Sequence, residues 1–152
     1  MNKNKEGKRA AKLKKRVRVK KSVVGRGVFA RKRFREEAVI GEVTGMVRDP
    51  DFESDYCMDL GKHAVLDPEG PFRFLNHSCN PNCQLMLWKS RKFNGRKIGR
   101  LWVETIRAVA AGDELTIDYA WPADAAIRCL CGAENCRGWV ADEHESRSLS
   151  RH

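Results

Sequence analysis

The chain has 152 residues, a hydrophobic content of 41% and a formal net charge of +10. This length suits one domain with its own core rather than two. The sequence contains no apolar run of about 18 residues, which argues against a transmembrane helix. No apolar segment follows the basic N-terminus, so a secretory signal peptide is not expected.

The positive charge is concentrated at the N-terminus. Residues 1–21 contain eleven Lys or Arg and one Glu, whereas the rest of the chain contains 19 basic and 19 acidic side chains. We expect residues 1–16 to form a disordered basic arm. Such an arm can contact nucleic-acid phosphates, an acidic partner or an import receptor, or can act only as a solubilising tail.

Short apolar or alternating runs follow along the chain and predict β-strands. In order they are RVRVK, GVFA, AVIGEV, AVL, QLMLW, LWVETI and ELTI, with turn-forming pieces such as GRG, DPEGP and AAGDE between them. The pair Asn94-Gly95 is typical of a two-residue hairpin turn. No long amphipathic helix and no internal repeat is evident, and residues 142–152 are expected to form a flexible tail. The fold class predicted is therefore mainly β.

Three of the six cysteines form the cluster CLCGAENC at residues 129–136. A disulfide within C-x-C would close a small strained ring, whereas thiolates at this spacing suit zinc. Structural zinc takes four ligands, so a fourth must come from elsewhere in the chain. Cys79 is the first candidate, and Cys83 and His77 are alternatives. Free or redox-active cysteines are the competing interpretation.

Three motifs in order resemble those of the SET-domain protein lysine methyltransferases with a post-SET zinc motif. They are RFLNHSCNPNC, GDELTIDYAW and CLCGAENCRGW, and the resemblance covers roughly residues 17–140. It implies small β-sheets around a pseudoknot, in which the NHSC and ELTIDY segments thread together, followed by a zinc-bound C-terminal segment. The boundaries it implies are residues 17–122 for the SET domain and 123–141 for the post-SET zinc segment, with no pre-SET region.

The same resemblance implies the positions of the functional residues. Tyr119 matches the catalytic tyrosine. The residues that would bind S-adenosylmethionine are Gly25, Arg26, Gly27, Tyr56, Arg73, Asn76, His77 and Leu130. The residues expected along the substrate-lysine channel are Val43, Ile117 and Trp139. The four that match the ligands of a structural zinc ion are Cys79, Cys129, Cys131 and Cys136.

Methyl transfer from a sulfonium to an amine requires alignment, exclusion of water and a neutral lysine. Alignment alone lowers the barrier by up to about 7–11 kcal/mol in model reactions. A free lysine has a pKa of about 10.4, and burial in an apolar channel beside a positive charge lowers it. We expect Tyr119 to orient the amine through its hydroxyl, while the proton leaves to solvent.

The sequence departs from the family pattern at two positions that bear on product and substrate. Val43 stands where many members carry a tyrosine, so one hydroxyl of the active site is missing. Ile117 stands where Phe or Tyr is usual, and a smaller side chain without a hydroxyl leaves room for a methylated amine. This favours di- or trimethylation. The insert before the NHSC segment is also short, so substrate choice is expected to depend on a few local contacts or on a partner.

The predicted function is methylation of lysine in a histone or another basic chromatin or nucleoid protein. The expected location is a nucleus, its own or a host's, or the bacterial cytoplasm, without membrane association. The alternative is a catalytically weak, zinc-stabilised module that holds nucleic acid or a protein partner through residues 1–21. Retention of Tyr119, Asn76 and His77 argues against this alternative, and Val43 argues mildly for it.

Overall fold

The computed structural model describes residues 3–150, and its fold is mainly β, as predicted. The elements in chain order are α1 (Lys3–Arg16), β1 (Val17–Lys21), β2 (Arg26–Ala30), β3 (Val39–Glu42), β4 (Gly45–Arg48), β5 (Met58–Asp59), β6 (Val65–Pro68), a 3-10 turn (Pro71–Phe74), β7 (Asn76–His77), β8 (Cys83–Phe93), β9 (Arg96–Thr105), β10 (Glu114–Ile117), a second 3-10 turn (Ala123–Ala125), β11 (Ile127–Arg128), β12 (Trp139–Val140) and α2 (Glu143–Leu149).

The strands form four small sheets. Their strand orders are β1-β2-β10-β7, β3-β9-β8, β4-β6-β5 and β11-β12. Among the strand pairs of residues 3–150, only β7 and β10 pair in parallel. In this pair Asn76 lies beside Thr116 and His77 lies beside Ile117. This pairing brings the NHSC segment against the ELTIDY segment, as the resemblance to SET domains implies.

One core joins the three larger sheets. Val28 on β2, Leu66 on β6, Val103 on β9 and Leu115 on β10 are each fully buried, and Phe72 from the first 3-10 turn packs among them. Alternation of buried and less buried positions along β6 and β10 matches the period of two seen in the sequence. Complete burial of such a side chain contributes about 1.5–3 kcal/mol.

The N-terminal segment is a helix, which corrects the prediction of a disordered arm. Lys, Arg, Ala and Leu are strong helix formers, and α1 also docks on the domain. Leu13 packs against the core, and Arg16 Nη1 donates to the Ile40 carbonyl at 2.9 Å. The charge run of residues 1–16 indicated disorder, whereas Leu13 and Arg16 anchor the helix. None of the helices in residues 3–150 is long and apolar enough to cross a membrane.

The segment after residue 141 also differs from the flexible tail that was predicted. Asp142 caps α2, since its carboxylate accepts a hydrogen bond from the backbone N–H of His144 at 2.9 Å. Ser146 on α2 is 3% exposed, so this helix packs on the domain. The predicted turn at Asn94-Gly95 does connect β8 with β9, and both residues have the positive φ that such turns need. Residues 1–2 and 151–152 of the two predicted termini lie outside the described residues.

Candidate active site

A cavity of about 350 Å³ opens beside the parallel pairing of β7 with β10. Its size falls within the range of about 300–1,000 Å³ typical of small-molecule sites. Six residues that the sequence predicted as functional line it together: Gly25, Arg26, Tyr56, Arg73, Asn76 and Tyr119. These residues come from four separate parts of the chain, so only the fold brings them to one place.

Asn76 on β7 fixes one wall of this cavity. Its Nδ2 donates to the Arg26 carbonyl and to Glu114 Oε1, both at 2.8 Å. The Ser22 hydroxyl lies 2.9 and 2.7 Å from the two oxygens of the same carboxylate and donates to it. A Cβ at Gly27 would clash with Glu114 Oε1, so a larger residue there would displace the carboxylate that holds Asn76 and Ser22. Asn76 and Glu114 thus hold the loop before β2 against the rest of the site.

Tyr119 follows β10 and is tied down at both ends. Its hydroxyl donates to the Leu75 carbonyl at 2.6 Å, and its backbone N–H donates to His77 Nδ1 at 3.1 Å. Its ring lies 5.1 Å from the ring of Trp121. Burial raises the pKa of Tyr119 to about 12, with smaller contributions from Tyr56 and Glu114. The phenol is therefore neutral at physiological pH and is held in one orientation.

His77 is buried between Tyr119 and the cysteine cluster, its side chain 4% exposed. Because Nδ1 accepts the bond from the Tyr119 N–H, the ring proton is on Nε2, which lies 3.4 Å from Cys79 Sγ. Burial lowers the pKa of His77 more than nearby Asp118 raises it, so the ring is neutral. His77 lies behind the cavity wall and connects the cysteine cluster to the tyrosine.

Arg73 and Tyr56 form the opposite side of the cavity. The Arg73 guanidinium lies 3.9 Å from the centre of the Tyr56 ring, and Tyr56 lies in the turn before β5 rather than in a strand. Arg73 Nη1 is also 3.2 Å from Asp67 Oδ1 and donates to the Pro68 carbonyl at 3.0 Å. Arg73 therefore pairs with a carboxylate, and the same side chain still lines the cavity.

The structure brings the four predicted zinc ligands together. The Sγ atoms of Cys79, Cys129, Cys131 and Cys136 all lie within 4.8 Å of one another, and the Cys79–Cys129 distance is 3.8 Å. Four thiolates around zinc, each with a bond of about 2.3 Å, have sulfur–sulfur distances of about 3.8 Å. The donor set and its geometry thus fit a tetrahedral zinc ion.

Neighbouring backbone groups support this cluster. The N–H of Arg137 donates to Cys79 Sγ and that of Gly138 donates to Cys136 Sγ, each at 3.4 Å. Hydrogen bonds of this kind from neighbouring backbone groups orient thiolate ligands. Cys83, one of the alternatives considered, is outside the cluster and buried on β8, and burial raises the pKa of its thiol to about 12. It acts as a small core residue.

Arg137 connects the cysteine-rich segment to the strand that precedes the tyrosine. Its guanidinium makes two hydrogen bonds of 2.9 Å to the Asp118 carboxylate and one of 2.7 Å to the Ala141 carbonyl. Asp118 immediately precedes Tyr119 in the sequence. This side-chain pair therefore fixes the cluster relative to the cavity.

The remaining predicted residues lie away from the cavity lining. Val43 and Ile117 are core residues, 2% and 4% exposed, and Gly27 and His77 lie behind the wall. Leu130 is 70% exposed, and Trp139 on β12 packs against the Arg128 guanidinium at 4.2 Å. The channel roles of Val43, Ile117 and Trp139 and the cofactor role of Leu130 stay predictions.

Two structural contributors were missed by sequence reasoning. Glu114 anchors both Asn76 and Ser22, and the Leu75 carbonyl receives the Tyr119 hydroxyl. Both residues lie inside quoted motifs, Leu75 in RFLNHSCNPNC and Glu114 in GDELTIDYAW, and this position was a usable signal.

Comparison with known proteins agrees with this geometry. The SET domain family model matches residues 25–120. Histone-lysine N-methyltransferase set-2 of Caenorhabditis elegans is 41% identical over 91 residues, which are 57% of this chain and 6% of that protein. Histone-lysine N-methyltransferase SETD2 of Mus musculus is 40% identical over 94 residues, 59% of this chain and 4% of that protein. The H3 lysine-4 specific enzyme of Saccharomyces cerevisiae is 36% identical over 94 residues, 57% of this chain and 8% of that protein.

A solved structure gives the same result for the fold. The crystal structure of KRYPTONITE in complex with mCHH DNA, an H3(1-15) peptide and SAH superposes with a TM-score of 0.72 and 26% identity. The match covers 82% of this chain and 29% of that one. This chain spans less than a tenth of the length of the curated relatives named above. With the family match over residues 25–120, the parallel β7–β10 pairing and the cavity beside it, this chain belongs to the SET-domain family.

Proposed function

We propose that this chain is an S-adenosylmethionine-dependent protein lysine N-methyltransferase that acts on histones or similar basic proteins. The single observation that carries the proposal is the position of Tyr119, with its neutral hydroxyl fixed on the Leu75 carbonyl at the wall of the cavity. Relatives named as histone-lysine N-methyltransferases and a related structure with SAH and an H3 peptide support it.

The cavity suits a cofactor that carries both polar and charged groups. Gly25, Arg26, Tyr56, Arg73 and Asn76 are the residues that would hold it, with backbone groups before β2 at one side and the Arg73–Tyr56 stack at the other. When bound, S-adenosylmethionine supplies the electrophilic methyl group. Gly27 and His77 would act from behind the wall, and Leu130 would reach the cofactor only if the C-terminal segment folds over it.

The chain's own residues would prepare the substrate lysine. The Tyr119 hydroxyl is neutral at physiological pH because its pKa lies near 12, and its proton is donated to the Leu75 carbonyl. Its oxygen would therefore accept a hydrogen bond from the amine and orient it, while the rings of Trp121 and His77 pack beside it. An ammonium is disfavoured in such surroundings, so the lysine would lose its proton to solvent before it reacts.

We further propose that the product is a di- or trimethylated lysine, because Ile117 carries no hydroxyl to hold the amine in a single orientation. Residues 17–122 would form the catalytic domain, and 123–141 the zinc-bound segment whose Arg137–Asp118 pair positions Tyr119. The basic residues 1–21 would add a contact to nucleic acid. The setting that fits these partners is a nucleus, its own or a host's, or the bacterial cytoplasm.

A mass-spectrometric methyl-transfer assay tests this function. Zinc-loaded protein, S-adenosylmethionine and a panel of core histones and bacterial nucleoid proteins should give mass steps of one to three methyl groups on a mapped lysine. Tyr119→Phe should lower kcat by about 10²-fold or more, since orientation at the reacting atoms is lost. Tyr56→Phe is the matched comparison: it keeps the ring that stacks on Arg73, so its effect should appear in the KM for S-adenosylmethionine rather than in kcat.

The same assay can instead support the alternative function, a catalytically weak binding module. It would follow if folded, metal-loaded protein transferred no methyl group to any substrate or to its own N-terminal lysines. Val43 would then be the first residue to restore to tyrosine. The presence of Tyr119 and Asn76 in one cavity argues against this outcome.

A further inference from the structure

We propose that helix α1 and the β8–β9 hairpin together form a surface that binds nucleic acid through its phosphates. This hairpin–helix surface comprises the exposed basic side chains of α1 and both faces of the hairpin beside it. Trp88 and Trp102 lie on one face of the hairpin, Lys92 and Lys97 lie on the other, and Lys89 is at the bulge of β8. None of these residues lines the cavity. Binding of nucleic acid here is separate from the proposed methyl transfer. It involves the hairpin of the folded domain as well as the N-terminal helix.

The charge on this surface is strongly positive. Within α1, residues 3–16 include eight Lys or Arg and one Glu, and no residue of this helix is buried. Along the hairpin, residues 85–103 include six Lys or Arg and no acidic residue. The hairpin is therefore locally basic, although residues 22–152 as a whole have a formal net charge of zero.

The two basic elements point in the same direction. Arg16 of α1 donates to the Ile40 carbonyl, while Arg9, two turns closer to the N-terminus, lies 3.6 Å from Glu42. The helix thus runs along β3 with its N-terminal half beyond Glu42. Glu42 is opposite Trp102 in the β3–β9 register, and β9 leads from there back toward the hairpin turn. The free half of α1 and the hairpin extend side by side.

Glu42 joins these elements without leaving a free negative charge. Arg100 on β9 makes two hydrogen bonds of 2.6 Å to its carboxylate, and Arg9 adds an ion pair from α1. Two cations therefore neutralise the one carboxylate between helix and hairpin. The junction between α1 and the hairpin therefore carries no unpaired negative charge at Glu42.

The hairpin contains a charge arrangement that stability alone does not favour. Lys92 and Lys97 are directly opposite each other in the β8–β9 register, and both are exposed. Like charges at directly opposite positions destabilise a β-ladder. A bound polyanion would relieve this repulsion, which is what a phosphate backbone supplies.

Two tryptophans on the same hairpin suit nucleic acid better than a purely acidic partner. Trp88 is 52% exposed and packs edge-on against Trp102, with ring centres 5.8 Å apart. A bulge at Lys89, whose φ is 59°, sets its ammonium 4.7 Å from the Trp88 ring centre and 5.6 Å from that of Trp102. Exposed aromatic faces next to cations are the arrangement that stacks bases while holding phosphates.

Fluorescence anisotropy with the full chain tests this proposal. The probes are a random-sequence duplex of about 20 bp and a single strand of equal length, titrated between about 50 and 200 mM salt. Affinity should fall linearly on logarithmic axes as salt rises. The double variant Lys92→Gln with Lys97→Gln should lower the salt slope by about 2 and weaken binding to any sequence. Trp88→Ala should weaken single-strand binding roughly 5- to 150-fold.

The matched control is the double variant Arg33→Gln with Arg35→Gln. These two exposed arginines lie in the loop before β3, near Thr105 at the end of β9 that is remote from the turn, so binding should not change. Equal loss in both double variants would overturn the proposal in favour of diffuse charge attraction. Tighter binding to anionic vesicles than to either nucleic acid would overturn it in favour of a membrane surface. Methyl transfer to free histones is measured separately, so its failure would contradict the proposed function and leave this surface unaffected.

Discussion

Replacing Arg137 by alanine should loosen the cysteine-rich segment from the strand that leads to Tyr119. The guanidinium makes three hydrogen bonds, two to Asp118 at 2.9 Å and one to the Ala141 carbonyl at 2.7 Å. The two partners are 16% and 31% exposed, so solvent screens part of the attraction. A hydrogen bond to a charged group contributes about 1.5–3 kcal/mol. After this screening, we expect the free energy of unfolding to fall by about 2–3 kcal/mol.

Thermal unfolding of the zinc-loaded protein measures this loss. For a chain of this size, 2–3 kcal/mol corresponds to a decrease in Tm of about 4–12 °C. The control is Arg147→Ala, since Arg147 also pairs with a carboxylate, Glu143 at 3.1 Å, but both side chains are more than 60% exposed. That pair is expected to contribute about 0.3–0.5 kcal/mol. Release of zinc to a chelator should accelerate only in the Arg137 variant.

Two results would refute the reasoning. The first is an equal decrease in Tm for the two arginine variants, which would mean that burial does not strengthen the Arg137–Asp118 pair. The second is additivity of Arg137→Ala and Asp118→Ala in a double-mutant cycle, which would place the loss elsewhere. The backbone N–H of Arg137 that donates to Cys79 survives the substitution, so the cycle isolates the side chain.

Three further outcomes follow from the site. Cys129→Ser should abolish stoichiometric zinc in metal analysis of the purified protein, whereas Cys83→Ser should keep it, and the reverse pattern would contradict the ligand assignment. The methylation rate should rise with pH up to about 10 as the substrate lysine deprotonates. Because the pKa of Tyr119 is about 12, its neutral form persists over this range, and a decline that begins below about pH 10 would contradict the neutral phenol. Ile117→Phe should shift the products toward monomethyl-lysine. It should also lower the free energy of unfolding by about 1–3 kcal/mol, because the larger ring overfills a core position. An unchanged methylation state in the mass spectrum would contradict the role of this position.

Features encoded by local spacing were predictable from the sequence. Asn94-Gly95 indicated the hairpin turn because two residues with positive φ are needed there. The C-x-C-x4-C cluster with Cys79 indicated the four sulfurs that the structure brings together. The order of the motifs indicated that Asn76 and Tyr119 would share one site. Each of these follows from chemistry within a short stretch or from a family pattern.

Features created by tertiary contacts were not predictable in this way. The charge of residues 3–16 indicated disorder, yet Leu13 and Arg16 dock α1 on the domain. Glu114 lies in the GDELTIDYAW motif, but its contact with Asn76 arises only because β10 pairs with β7. In both cases the outcome depends on partners far away in the sequence, which periodicity and propensity do not describe.

The separation of Cys79 from the other three cysteines has a consequence for the order of assembly. Cys79 and Cys129 are 50 residues apart in the chain, so their approach closes a long loop whose entropy must be offset by other contacts first. The remaining three sulfurs lie within eight residues and can gather early. We therefore expect complete tetrahedral zinc coordination only once β7 has paired with β10, so that uptake of the metal comes late in folding.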